Sequence, residues 1–110
     1  MKTGAELIAD ERKRQIEVEG WSVEHDAQYT HNELINAAIC YCQPESTRTY
    51  DRFRLWIHLE NPDDITIPPI VWPWAKEWWK PSPDDRIREL TKAGALIAAE
   101  IDRLQALSEE

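Results

Sequence analysis

The sequence is poor in glycine, in cysteine and in positive charge. It contains three glycines and two cysteines in 110 residues, and 13 Lys and Arg against 21 Asp and Glu give a formal net charge of −8. Three glycines cannot build a glycine-rich phosphate-binding loop. An acidic chain repels polyanions, so a coat for long DNA or RNA is excluded. A single nucleotide is not excluded, because it needs only a few local cations and an aromatic surface.

Long hydrophobic runs are also missing. No apolar stretch approaches the roughly 20 residues of a membrane-spanning helix, and the N-terminal segment becomes charged before a secretory hydrophobic region could form. We therefore expect a cytoplasmic chain without a membrane contact. Its cysteines, Cys40 and Cys42, should stay reduced there. A zinc site shared with His25 and His31 is not favoured, because a helix directs the two thiols to different faces.

Length and composition predict one domain at 1–110, with 42% hydrophobic residues and six tryptophans to form a core. The fold class predicted is mainly α: a compact helical bundle with an irregular Trp- and Pro-rich connection. Its three principal helices are expected at about 3–19, 31–42 and 83–107. Thr3 and Glu6 form a capping-box pair for the first, which should end before Gly20, and Thr30 and Glu33 form such a pair for the second.

The third helix should begin with Ser82 as N-cap and Pro83 at the first helical position. Apolar and small residues follow along it at alternating spacings of three and four. This seam consists of Ile87, Leu90, Gly94, Ile97, Ile101 and Leu104. Such a pattern favours a homodimer or higher homo-oligomer that buries the seam. Packing within one chain is the simpler alternative.

Two faces of the first helix compete for the interior. The first has apolar ends and a polar middle, and consists of Leu7, Glu11, Arg14 with Gln15, and Val18. This face predicts a polar site within the bundle. The second face is defined by Ile8 and Ile16, with the polar residues solvated. Periodicity alone favours the second face slightly.

The middle of the chain, from 43 to 81, is the least regular part. Alternating apolar residues predict a β-hairpin near 53–67. A helix through Tyr50, Phe53 and Ile57 competes with it, because short apolar runs do not distinguish the two.

Two segments carry the residues best suited to a small ligand. Residues 72–81 concentrate four of the six tryptophans between prolines, next to lysine, so indoles can stack on a base while ammonium groups meet phosphate. Residues 21–29, between the first two helices, mix imidazole, carboxylate and aromatic groups, and Asp26 can orient His25. The candidate ligand-binding residues are Arg14, Trp21, His25, Asp26, Tyr29, Trp72, Trp74, Trp78, Trp79, Lys80 and Lys92. The structural alternative is that the tryptophans seal the core and the loop residues satisfy backbone groups.

Several of these blocks resemble a family of small proteins common in phages and prophages. The blocks are Glu11-Arg12-Lys13-Arg14-Gln15, Gly20-Trp21, Glu24-His25-Asp26, Glu33-Leu34 with Ala37-Ala38, Trp72-Pro73-Trp74, Trp79-Lys80-Pro81 and the helix from Arg88 to Leu104. Residues 43–70 are unmatched. The resemblance implies a phage setting, and hence a host cytoplasm, rather than a mechanism.

The chain is more distantly similar to the MazG-like all-α NTP pyrophosphohydrolases, which hold Mg²⁺ with paired helical carboxylates. That resemblance implies Mg²⁺ as cofactor, Glu11, Glu33, Glu89 and Glu100 as catalytic residues, and Glu33 and Glu89 as metal ligands. The sequence departs from the family pattern, because Asn36 and Lys92 stand where further carboxylates are expected.

The leading hypothesis is a phage-type protein that binds or sequesters a nucleotide-like molecule, as in counter-defence. The first alternative is the Mg²⁺-dependent pyrophosphohydrolase. The second is a module whose Trp-rich loop binds a host protein.

Overall fold

The structure of the protein is a computed structural model, which describes residues 1–45, 48, 60 and 67–109. The predicted β-hairpin near 53–67 and the competing helix through Tyr50, Phe53 and Ile57 lie outside these residues, apart from residues 60 and 67. Within the described ranges the chain is mainly helical and has no strand, which confirms the predicted helical bundle.

Four α-helices and one 3₁₀ turn make up the described secondary structure. They are α1 (Gly4–Glu17), α2 (Val23–Asp26), α3 (Glu33–Cys42), the 3₁₀ turn Lys76–Trp78, and α4 (Arg86–Ser108). Helix α4 packs against α1, α2 and α3 and is the centre of the bundle. The short α2 was not predicted. None of the helices in the described part is long and apolar enough to cross a membrane.

The start of α1 is set by the predicted capping box. The Thr3 hydroxyl accepts from the Glu6 backbone N–H at 3.2 Å, and the Glu6 carboxylate accepts from the Thr3 N–H at 3.0 Å. The helix ends at Glu17, and Gly20 follows in the left-handed region with φ 76°. A glycine adopts that conformation without steric cost, so the chain turns there towards α2.

The predicted cap of the second helix is wrong. Helix α3 begins at Glu33 after Asn32, which has φ 63° and makes no side-chain cap bond. The Thr30 hydroxyl lies 3.2 Å from Nδ1 of His31 instead. The Glu33 carboxylate accepts from the His31 N–H at 2.5 Å, so it does not reach back to Thr30.

The predicted start of the long helix is also wrong by a few residues. Asp85 is its N-cap, and its carboxylate accepts from the Arg88 N–H at 3.0 Å. Ser82 lies in a turn before the helix and does not cap it. Its carbonyl accepts from the Asp85 N–H at 2.9 Å, and its own N–H donates to Glu89 at 3.1 Å.

The hydrophobic core joins α3, α4 and the Trp-rich segment. Its buried members are Leu34, Ala37, Ala38, Cys40, Tyr41, Trp72, Trp79, Ala93, Leu96 and Ala99. Helices α1 and α4 approach closely at Gly94, where an added Cβ would lie 2.4 Å from Cδ1 of Ile8. Small residues on α4 therefore admit both neighbouring helices.

The interior face of α1 is the polar one. Glu11, Arg12 and Gln15 are buried, whereas Ile16 is 39% exposed. The interpretation that Ile8 and Ile16 together define the buried face is therefore wrong for Ile16. Hydrophobic periodicity favoured that interpretation because it counts apolar residues and cannot detect that charged residues have partners on another helix.

The predicted seam on α4 lies largely at the surface. Five of its six members are between 43% and 66% exposed: Ile87, Leu90, Ile97, Ile101 and Leu104. Gly94, the sixth member, lies against Ile8 of the chain's own α1. These five side chains are therefore only partly buried within the chain, and burial of the seam in an oligomer stays a prediction.

Candidate ligand-binding site

A cavity of about 630 Å³ lies between α1, α2, the Trp-rich segment and α4. Its volume falls within the range of small-molecule sites in proteins, roughly 300–1,000 Å³. Ten of the eleven predicted ligand-binding residues line it: Arg14, Trp21, His25, Asp26, Tyr29, Trp72, Trp74, Trp78, Lys80 and Lys92. Residues from four separate parts of the sequence thus surround one space.

The tryptophans of residues 72–81 divide into two groups. Trp79 is 5% exposed and stacks on Tyr41 with ring centroids 4.9 Å apart, so it belongs to the core and does not line the cavity. Trp72 is also in the core cluster, but it borders the cavity beside Trp74. Trp78 lines the cavity and is 56% exposed.

Glu11 organises the α1 wall of the cavity. Its carboxylate accepts from Arg14 at 2.9 Å through both oxygens, from Arg88 at 2.8 Å and from Gln15 at 3.2 Å. Burial by itself raises the pKa of Glu11, but the hydrogen bonds from Arg14 and Arg88 outweigh it and lower that pKa to about 2. Glu11 is therefore ionised at neutral pH and holds two guanidinium groups in place.

His25, Asp26 and Arg12 form a second polar group at the α2 end. The short helix is capped by Ser22, whose hydroxyl accepts from the His25 N–H at 3.2 Å. Nδ1 of His25 lies 2.9 Å from Oδ1 of Asp26, which is the predicted orienting contact. Burial raises the pKa of Asp26, partly opposed by the hydrogen bond from His25. Arg12 donates to the Trp21 carbonyl at 2.9 Å, which ties this loop to α1.

Four buried polar atoms around the cavity have no hydrogen-bond partner among the described residues. They are Nη2 of Arg12, Oε1 of Gln15, Oδ2 of Asp26 and Nε1 of Trp74. All four belong to residues of the cavity wall. The Arg12 and Asp26 atoms face each other at 3.7 Å, which is close enough for an ion pair but too long for a hydrogen bond. A buried polar group without a hydrogen bond costs about 1–3 kcal/mol, so a ligand that bonded these atoms would gain affinity from each of them.

Two lysines line the cavity near Tyr41. Nζ of Lys92 donates to the Lys80 carbonyl at 2.7 Å and lies 5.4 Å from the Tyr41 ring centroid. Burial, followed by the positive charge of Arg88, lowers the pKa of Lys92. Neither Lys80 nor Lys92 forms an ion pair with a described residue, so an anion here would gain two cationic partners.

The four glutamates of the enzyme alternative have different partners in the structure. Glu11 lines the cavity, while Glu89 pairs with Arg48 at 3.0 Å and with Arg86 at 3.2 Å. Glu100 pairs with Arg103 at 2.5 Å. Glu33 is engaged at the start of α3. In the described part of the chain, no three His, Cys, Asp or Glu side chains form a group that could hold a metal ion.

The two cysteines differ in their exposure to solvent. Cys40 is buried and Cys42 is exposed, as expected for thiols on different faces of α3. Burial raises the pKa of Cys40 to about 11, which removes it as a thiolate nucleophile at neutral pH.

Sequence reasoning missed several wall residues, above all Arg88 from α4 and Tyr41 from α3. Others are Arg12, Gln15, Glu19, Leu34, Ala75, Leu96 and Ala99. Arg88 meets Glu11 across 77 positions of sequence, and no local spacing indicates such a pair. Gln15 carried a signal, because it lay on the polar face proposed for the first helix.

Comparison of the chain with protein-family models, with curated proteins and with solved structures finds no match. The resemblances to a phage family and to the MazG-like enzymes therefore stay predictions.

Proposed function

We propose that this protein binds a nucleotide-like small molecule in the cavity. The observation that carries the proposal is a set of four buried polar atoms, two donors and two acceptors, that belong to wall residues and have no hydrogen-bond partner among the described residues. A nucleobase edge presents donors and acceptors side by side, so it can satisfy both kinds of group at once. A purely apolar ligand would leave all four without a hydrogen bond.

The aromatic wall supports the same ligand class. Tyr29 and Trp74 lie with ring centroids 5.3 Å apart, and Trp78 extends to the solvent side. Stacking of a base on such a ring contributes about 1–3 kcal/mol. Lys80 and Lys92 supply charge for a phosphate at the same cavity.

Binding without turnover is the form of the proposal that the side chains favour. Of the four glutamates in the enzyme hypothesis, only Glu11 lines the cavity, and its carboxylate is already hydrogen bonded by two arginines and a glutamine. Sequestration of a nucleotide signal in a phage setting would be one use of such binding. Sustained pyrophosphate release from NTPs with Mg²⁺ would instead support the enzyme.

The test is calorimetric titration of the purified chain with nucleosides, mononucleotides and cyclic dinucleotides. We expect saturable binding of at least one nucleotide, and Trp78→Ala should weaken it about 5- to 100-fold, the equivalent of one lost stacking contact. Val71→Ala is the matched control, since Val71 is also exposed but does not line the cavity. Absence of binding across all three ligand classes would refute the proposal.

A further inference from the structure

The cavity wall carries more positive than negative side chains, and only two of the positive ones have no ion pair with a described residue. Five cationic side chains line it, Arg12, Arg14, Lys80, Arg88 and Lys92, against the carboxylates of Glu11, Glu19 and Asp26. The described wall thus carries a formal excess of two positive charges in a chain whose net charge is −8.

The three arginines are already neutralised by protein carboxylates. Arg14 pairs with Glu11 at 2.9 Å and with Glu19 at 3.0 Å, and Arg88 pairs with Glu11 at 2.8 Å. Arg12 pairs with Asp26 at 3.7 Å. Among the described residues, the two positive charges left for a ligand are therefore those of Lys80 and Lys92.

Resting on the proposed function, we infer that Glu11 is a specificity-determining residue that limits the ligand to about two negative charges, the charge of a phosphate monoester. A nucleoside monophosphate matches the two lysines. A triphosphate carries more negative charge than they neutralise, and its additional phosphates would meet the Glu11 and Glu19 carboxylates while both arginines remain occupied. Glu11 thus holds Arg14 and Arg88 as part of the wall and withholds them from phosphate.

The test compares affinities across one chemical series. Adenosine, AMP, ADP and ATP, and the same series for the other three bases, are titrated into the wild-type chain by calorimetry. Wild type should bind the monophosphate about tenfold or more tighter than the triphosphate of the same base, as expected for unneutralised charge at short range. Glu11→Gln releases Arg88 and one of the two carboxylate contacts of Arg14, and should raise triphosphate affinity relative to monophosphate by about tenfold.

Two further variants keep the test valid if Glu11→Gln does not fold. Glu19→Gln frees one contact of Arg14 at a partly exposed position and should shift the ratio in the same direction by a smaller factor. Lys92→Gln should weaken monophosphate binding but leave nucleoside binding within about twofold. Glu17→Gln is the matched control, because Glu17 lies on α1 with its side chain 62% exposed and does not line this cavity.

Each outcome has a distinct meaning. A wild-type chain that prefers the triphosphate overturns the inference and leaves nucleotide binding intact. A ratio that is unchanged in both Glu11→Gln and Glu19→Gln overturns it as well. A wild-type chain that binds neither nucleosides nor nucleotides refutes the proposed function itself.

Discussion

Replacing Glu11 by Gln should destabilise the fold in a pH-dependent manner. The folded-state pKa of Glu11 is about 2, against an ordinary value of 4.5. At about 1.4 kcal/mol per pKa unit, the ionised carboxylate contributes about 3 kcal/mol to the free energy of unfolding. Arg14 and Arg88 are each more than a third exposed. Solvent screening at these arginines lowers our expectation to about 2 kcal/mol.

The sign of the pH dependence follows from the direction of the shift. A depressed carboxyl pKa stabilises the fold fully above about 4.5, and this contribution is lost as the pH falls towards 2. Asp26 acts in the opposite sense, because its pKa is raised by burial. The difference between wild type and Glu11→Gln removes the Asp26 contribution and isolates that of Glu11.

Urea unfolding followed by tryptophan fluorescence measures this difference at a series of pH values. We expect about 2 kcal/mol at pH 7 and a difference near zero at about pH 2. Glu17→Gln, which removes an exposed carboxylate from the same helix, should change the free energy of unfolding by less than about 0.5 kcal/mol at any pH. A Glu11→Gln difference that is absent at pH 7, or constant over the whole range, would refute the reasoning.

Three further predictions concern the framework. Gly94→Ala should destabilise the fold by about 1–3 kcal/mol, because its Cβ would overlap Ile8, and thermal unfolding checks this; an unchanged melting temperature would contradict the close approach. Asp85→Ala should lower the free energy of unfolding by about 1 kcal/mol, because the α4 cap is lost, whereas Asp84→Ala should leave it unchanged. Equal effects of the two substitutions in urea unfolding would contradict Asp85 as the cap. Ile101→Glu, on the exposed seam, should convert a homodimer to monomer in light scattering; a wild-type chain that is already monomeric would refute the predicted oligomer.

The helices were predictable where a local signal had no competitor. Thr3 and Glu6 were free to cap each other, so the predicted capping box is present. Ser82 is also a residue type that caps helices, but its N–H donates to Glu89 and its carbonyl accepts from the Asp85 N–H in a turn before α4. Thr30 likewise has no capping-box partner in Glu33, because the Glu33 carboxylate accepts from the His31 N–H. The local sequence thus indicates that a helix is present, whereas the residue at which the helix begins depends on hydrogen bonds with the rest of the chain.

The same contrast applies to the cavity. The residues that line it from 21–29 and 72–80 were indicated by a local concentration of aromatic and charged side chains, which needs no knowledge of the fold. Arg88 was not, because its role depends on meeting Glu11 from another helix. Trp79 was grouped with the other indoles but does not line the cavity, since composition cannot tell which of two adjacent indoles stacks on Tyr41. Long-range pairing is the information that the local sequence lacks.

The indole N–H signals of a ¹H–¹⁵N NMR spectrum report whether a nucleotide binds beside Trp74 and Trp78 in the cavity. The chain has six tryptophans, and Nε1 of Trp74 is a buried donor without a hydrogen-bond partner among the described residues. On addition of the tightest-binding nucleotide, the account predicts that the Trp74 and Trp78 indole signals shift while that of Trp79 stays in place. A Trp79 shift with Trp74 and Trp78 unchanged, or no indole shift with any nucleotide, would contradict it.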